Sequence, residues 1–229
     1  MIKFENTEVM NFEGALRGMR NPLNSWDKAD SLFHETADFD PNDYPGGCLI
    51  GTNDLALAQK LIKAGSDHRK FLRQIFVSVD ITAPLYWWKE FDTYKTGTVG
   101  NSCSTMHTIH KEELELGDFS HEHLFDGCTN PETDEEMEYW ENPTTCLEYV
   151  IRVLNHYRKK FLETKDKRYW EQIIQLLPSS YNQKRTETMN YENLRNMYHA
   201  RRNHKLDEWS VGFMAWIDTL PYADELIKS

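Results

Sequence analysis

Residues 75–81 alternate without a break: Ile75, Val77, Val79 and Ile81 fall on one side, Phe76, Ser78 and Asp80 on the other. A period of two with one wholly β-branched face predicts a half-buried strand, ended by Ala83-Pro84. Residues 2–10 predict a short strand. Elsewhere the period is helical. Asn11 is placed to cap a helix carrying Phe12, Ala15, Leu16 and Met19, which must stop before Pro22. Thr52 or Asn53 caps another, with Leu55, Ala58, Leu61 and Ile62 inside and Gly65 where a C′ residue belongs. Behind Pro84, the aromatic-rich stretch 85–94 predicts a helix. Thr145 and Glu148 have capping-box spacing and open a helix with Leu147, Val150, Ile151, Leu154, Tyr157 and Phe161 on one side. Asp166 caps the next, which buries Tyr169, Trp170, Ile173, Ile174 and Leu177 and closes at Pro178. Residues 179–190 read as a polar connection.

The last pattern is the longest. From Leu194, the residues Met197, Tyr198, Arg201, Lys205 and Glu208 share one face, apolar above and ionic below. Leu206, Trp209, Phe213, Trp216, Ile217 and Leu220 continue it to Pro221. A single helix from Asn190 would span about 45 Å. A stripe that turns ionic part-way suggests a helix leaving a core for a wet pocket; a core helix with a solvated basic edge fits the same spacing. The expected class is α+β: a small, mostly antiparallel sheet packed with a helical C-terminal half ending in one long helix. Residues 1–229 are expected to form one domain, with acidic excursions near 23–50 and 111–143.

Composition narrows the function. Aromatics make up 13% of 229 residues, including seven Trp, so a large core is expected and disorder is not. The net charge of −11 argues against non-specific nucleic-acid binding. No run of about 18 apolar residues predicts a membrane span, and the opening Met-Ile-Lys-Phe-Glu-Asn resembles no leader. Cys48, Cys103, Cys128 and Cys146 form no C-x-x-C pair, which fits a reducing cytoplasm.

An acidic protein that binds an anion must do so with local cations. Lys89, Lys95, Arg185, Arg195, Arg201, Arg202 and Lys205 are the candidates. The run Asn101-Ser-Cys-Ser-Thr-Met-His107 follows Gly97 and Gly100, and small polar side chains after glycines bring N–H and Oγ groups close to a ligand. A plain capped turn has the same composition. Cys103 or Ser104 could serve as a nucleophile, but no base is placed by local spacing. His107, His110, His121 and His123 lie close in sequence, yet without the spacing of a zinc motif, and no metal is expected. There is no phosphate loop and no dinucleotide fingerprint.

The segments Leu177-Pro-Ser-Ser-Tyr181, Thr188-Met-Asn190 and Leu194-x-Asn196-x4-Arg201 resemble the C-terminal part of flavin-dependent thymidylate synthases. Upstream, Phe71 to Ser104 is similar too: an alternating strand, Ile-Thr-Ala-Pro84, a helix, then Asn101 and Ser104 three apart. The resemblance runs from about residue 12 to 226, and the two acidic excursions depart from it. So does the signature, Arg-His-Arg followed by seven residues and Ser. Here Tyr94-Lys95-Thr96 precedes Ser104 by that interval, and Met106 stands where the family has an arginine. Glu90 stands for a glutamine, Arg73 for a flavin-contacting histidine, and Ile174 or Gln175 for a nucleotide-binding arginine.

The resemblance implies a homotetramer whose subunits jointly build each site. FAD would lie along the signature stretch with dUMP stacked on it; reduced flavin supplies hydride, a folate the one-carbon unit, and NADPH is a further partner. It assigns Ser104 and Arg201 to catalysis. Glu90, Asn101, Ser102, Ser104 and Arg201 fall to the nucleotide, and Arg73, Tyr94, Lys95, Asn190, Asn196 and Lys205 to the flavin. A charge-assisted hydrogen bond is worth about 1.5–3 kcal/mol. Three lost cations, if unreplaced, would weaken binding by roughly three orders of magnitude. Two other readings therefore stand beside dUMP methylation: a nucleotide-binding protein of the same fold that has lost catalysis, and an interaction protein whose acidic loops meet a basic partner.

Overall fold

The alternating stretches become strands and most of the periodic ones helices. In the computed structural model, which describes residues 2–33, 46–127, 129, 138 and 140–229, β1 (Lys3–Met10) leads into α1 (Phe12–Arg20). The short β2 (Leu32–Phe33) and β3 (Cys48–Leu49) pair antiparallel before α2 (Thr52–Lys63). Then come β4 (Phe76–Pro84), α3 (Leu85–Phe91), β5 (Val99–Ser102) and the single-turn α4 (Thr105–Thr108). The chain continues through α5 (Pro143–Thr164), α6 (Lys167–Leu176), β6 (Asn182–Asn190), α7 (Tyr191–Arg201) and α8 (Met214–Ile217). The four-stranded sheet has the order β1-β4-β6-β5, and the expected α+β class, a small antiparallel sheet with helices, holds. Among the described residues no helix is long and apolar enough to cross a membrane. Parts of both acidic excursions, including Asp38, Asp40, Pro41, Asp43, Pro45, Cys128 and residues 131–136, lie outside the described residues.

The chain divides into two compact units. One comprises residues 82–90 and 102–184. Its core is Ile109, Leu114, Phe119, Leu147, Ile151, Leu154 and Ile173, lined by Tyr157, Ile174 and Tyr181. The acidic excursion at 111–143 therefore gives Leu114 and Phe119 to a core. Helix α5 starts one turn earlier than the Thr145–Glu148 spacing suggests: Asn142 is its N-cap, accepting from Thr145 N, with Pro143 behind it. Asp166 caps α6 as expected, through Arg168 N.

The other unit comprises residues 2–81, 91–101 and 185–229. Ile75, Val77, Val79 and Ile81 are fully buried, as their alternation requires. Phe12 meets Tyr191 and Tyr222 edge-on, and Phe4 stacks on Trp216. Asn11 adopts the left-handed conformation at φ 71° and makes no side-chain cap; its amide donates to Gln74 O instead. Asp30, from the acidic excursion, and not Thr52 or Asn53, is the side-chain cap of α2: its carboxylate accepts from the N–H groups of Asn53 and Asp54. Gly51 is needed there, because a Cβ would collide with the Asp30 carboxyl.

Two expectations fail for reasons of chemistry. The polar connection at 179–190 is largely strand β6. Its inward positions include Gln183, Glu187 and Met189, so the alternation is real but two of the three are polar and invisible to a hydrophobic period. The single terminal rod is a series of shorter segments. Helix α7 stops at Arg201, and His204 Nδ1 accepts the N–H of Leu206, a local side-chain bond that competes with the helical ladder. The chain resumes as a wide π-turn over Glu208–Phe213, where Gly212 lets the backbone approach Ile2 too closely for any Cβ.

Candidate functional site

Strand β6 ends where Asn190 can serve two elements. Its backbone is still extended (φ −131°, ψ 168°), and its Oδ1 accepts from Asn193 N while Asn193 Oδ1 accepts from Asn190 N. This reciprocal box satisfies two donors that the start of α7 would otherwise leave bare. It also fixes the amide of Asn190: with Oδ1 engaged, Nδ2 is the end turned toward Gly97. Asn193 Nδ2 in turn donates to Thr96 O at 2.6 Å, tying the turn at 93–98 to the helix. Gly97 has φ 82° and lies against both asparagines, so both its conformation and the space favour glycine. One residue into α7, Glu192 is buried and accepts from Arg69 Nε at 2.9 Å, so that carboxylate is neutralised in place.

These pieces line a half-open cavity of about 430 Å³. Arg73, Thr93, Tyr94, Thr96, Gly97, Asn190, Glu192, Asn193 and Asn196 line it. Its lining residues are rich in donor groups: the exposed Arg73, the amides Asn190 and Asn196, and the hydroxyl-bearing Thr93 and Tyr94. Behind Tyr94 stands Arg201, whose Nε donates to Tyr94 Oη at 2.9 Å. The guanidinium carbon lies 5.5 Å from the Tyr94 ring centroid and 5.4 Å from that of Trp209. Trp209 is fully buried, stacked on Phe91 and edge-on to Phe213. A donor-rich wall with one carboxylate already paired suits an acceptor-rich, anionic ligand.

Four residues expected to hold flavin, Arg73, Tyr94, Asn190 and Asn196, thus lie on one cavity wall. Lys95 and Lys205 are exposed and do not line it; Lys205 leaves the face it was expected to share because α7 has ended. The nucleotide candidates are placed otherwise. Asn101 and Ser102 are exposed on β5, and Glu90 is half-buried on α3. Ser104 is the N-cap of α4, its Oγ accepting from His107 N at 3.2 Å, so here the plain capped turn describes its hydroxyl. His121 Nδ1 sits 2.8 Å from Phe119 O, and among the described residues no three His, Cys, Asp or Glu side chains converge in a metal-binding group. Sequence reasoning missed Thr93, Thr96, Gly97, Glu192 and Asn193. The Asn190-x-x-Asn193 spacing carried a signal for the last, since it is that of a capping box.

No protein-family model matches the sequence, and no curated protein matches it. Solved structures match by fold. Thymidylate synthase X from Helicobacter pylori, with FAD and dUMP, superposes with a TM-score of 0.61 at 15% identity, covering 99% of this chain and 96% of that one. A second structure of the same protein, complexed with FAD and dUMP, gives 0.61 and 15% over 99% and 98% of the two chains. The UMP/dUMP methylase PolB from Streptomyces cacaoi, bound with 5-Br UMP, gives 0.57 at 12% identity over 100% and 93%. At such identities the likeness is one of fold.

Proposed function

On a chain with the flavin-dependent thymidylate synthase fold, we propose that the Tyr94–Asn190 cavity binds a flavin nucleotide, FAD, beside a pyrimidine deoxynucleotide, dUMP. The protein would methylate the base of dUMP with a folate as one-carbon donor and NADPH as the source of electrons. The observation that supports this is the convergence of Arg73, Tyr94, Asn190 and Asn196 on one donor-rich wall. Those donors suit phosphate and sugar oxygens, and the cavity volume of about 430 Å³ falls within the range of small-molecule sites. When bound, the flavin would supply the redox chemistry. This chain's part is to hold and orient: Arg73 meets negative charge, Asn190 and Asn196 meet acceptors, and Arg201 places a cation behind Tyr94. Asn101, Ser102, Ser104 and Glu90 are proposed to meet the nucleotide in a homotetramer, where more than one subunit completes each site; a cytoplasmic location fits these substrates.

The second reading is a nucleotide-binding protein that sequesters or senses its ligand. Tyr94, Lys95 and Thr96 in place of the basic signature favour it. One experiment separates the two. Purified protein is examined for a flavin absorption spectrum and for dTMP formation from dUMP with methylenetetrahydrofolate and NADPH. Flavin retention with turnover supports synthesis. Colourless, inactive protein whose melting temperature rises with dUMP supports binding alone, because a ligand that binds only the native state stabilises it. No retained flavin and no shift with FAD or dUMP would remove both.

A further inference from the structure

Of the described residues, Tyr94 lines the cavity and Arg201 does not. We infer that Arg201 acts on the cavity's ligand through Tyr94, as a positioning residue, and that the Tyr94 hydroxyl makes the contact. This rests on the nucleotide reading above, takes dUMP as the ligand, and passes the nucleotide contact expected of Arg201 to Tyr94, which the resemblance gave to the flavin.

A phenol has one proton to give and lone pairs to receive. Tyr94 Oη receives from Arg201 Nε at 2.9 Å, so its own proton is left to donate. A charged donor on the oxygen polarises the O–H bond, and successive hydrogen bonds strengthen one another in a low-dielectric setting. The arginine is held for this task. Its guanidinium carbon stands over both the Tyr94 and the Trp209 ring, which are 59° apart with centroids 6.3 Å from each other. Trp209 is in turn fixed by Phe91 and Phe213. A lysine could supply the charge but neither the Nε fork nor the flat face. Tyr94 itself is anchored from the backbone side, where its carbonyl accepts from Thr98 Oγ1 at 3.0 Å. The ligand atom met by Tyr94 is an acceptor, either a phosphate oxygen or a base carbonyl.

The test is a calorimetric titration of dUMP into wild type, Tyr94→Phe, Arg201→Lys and the double variant. Tyr94→Phe keeps the ring and the clamp and is expected to weaken dUMP binding about tenfold at an unchanged melting temperature. Arg201→Lys should cost a similar factor, and the double variant should bind no worse than Tyr94→Phe alone. Multiplying losses would show Arg201 touching the ligand itself and overturn the inference; so would wild-type affinity in Tyr94→Phe. Parallel titrations with deoxyuridine and inorganic phosphate tell which acceptor is met: the one whose binding Tyr94→Phe weakens. If wild type binds no dUMP, the nucleotide reading falls. The NMR exchange rate of the Arg201 Nε proton then decides the Arg201–Tyr94 hydrogen bond separately: slow in wild type and fast in Tyr94→Phe upholds it, and equal rates overturn it.

Discussion

Around Arg20 the polar atoms close on one another, whereas around Asn190 donor-bearing side chains line a cavity. Both clusters lie in the same compact unit and use the same kinds of side chain. Arg20 is 3% exposed; its Nε donates to Asp54 Oδ1 at 2.6 Å, Nη1 to Ser25 O, and Nη2 to Lys28 O. Asp54 is 1% exposed, and its second oxygen accepts from Asp30 N, Ser31 N and Ser31 Oγ. In the Asn190 cluster the box and the Thr96 bond engage backbone groups, while Asn190 and Arg73 line the cavity with donor-bearing side chains. A saturated cluster has nothing left to offer a ligand. A surplus of donors on a wall is what a binding site requires, and it is unfavourable to folding unless water or a ligand meets it.

The sharpest way to break this contrast is to open the closed cluster. Arg20→Met is expected to destabilise the protein by about 3–5 kcal/mol, because Asp54 would stay buried with its main partner gone. Urea unfolding measures it. A loss below about 1 kcal/mol would mean that the region relaxes to let water in, and that its saturation is not what holds β2, β3 and α2 together.

The contrast also explains what the sequence could show. Alternation at 75–81 and the spacings in α5 and α6 are apolar signals, and they place those elements correctly. Strand β6 escaped because two of its inward residues are Gln183 and Glu187, which a hydrophobic period scores as exterior. The role of Asp30 escaped because a cap supplied from more than twenty residues away has no local signature, whereas Asn142 followed by Pro143 carried one that the Thr145–Glu148 spacing overshadowed. At the cavity, resemblance in order and spacing pointed to Arg73, Tyr94, Asn190 and Asn196 individually. Their meeting on one wall depends on the turn at 93–98, whose Gly97 and Asn193 contacts are tertiary. The clamp on Arg201 was illegible for the same reason: Tyr94 and Trp209 stand on either side of it in sequence at distances no helical or strand period relates.

Glu187 sharpens the comparison from between the two extremes. It is 3% exposed on β6, with its carboxyl packed where a Gly100 Cβ would sit. Burial raises its pKa from 4.5 to about 7, with Asp92 adding to the rise and Arg185 opposing it. The folded state therefore holds this proton more tightly than the unfolded chain. Its stabilising effect is complete below pH 4.5 and is lost as pH rises through about 7. A difference of 7 − 4.5 corresponds to at most about 3 kcal/mol at pH 8. Glu187→Gln should thus unfold later than wild type at pH 8 and together with it at pH 4.5. Parallel denaturation curves at both values check this, and an equal gap at both would assign the effect to packing.

The smallest expected effect on stability falls on the open cluster and discriminates most finely. Arg73 is exposed at the cavity rim, at the end of the 3₁₀ turn Lys70–Gln74 that precedes β4. Removing an exposed side chain usually changes stability by no more than about 0.5 kcal/mol, so Arg73→Ala should melt within a degree or two of wild type. What it should lose is ligand response. If FAD or dUMP raises the wild-type melting temperature, the variant should require about tenfold more of the same ligand for the same rise, the loss of one charge-assisted hydrogen bond. Full retention of that response would mean that the anion is met elsewhere on the wall. A large loss of stability without ligand would be more damaging, because it would show that the rim of the cavity is closed in the same sense as the Arg20 cluster, and that donor-bearing side chains lining a cavity do not separate a binding surface from a structural one in this fold.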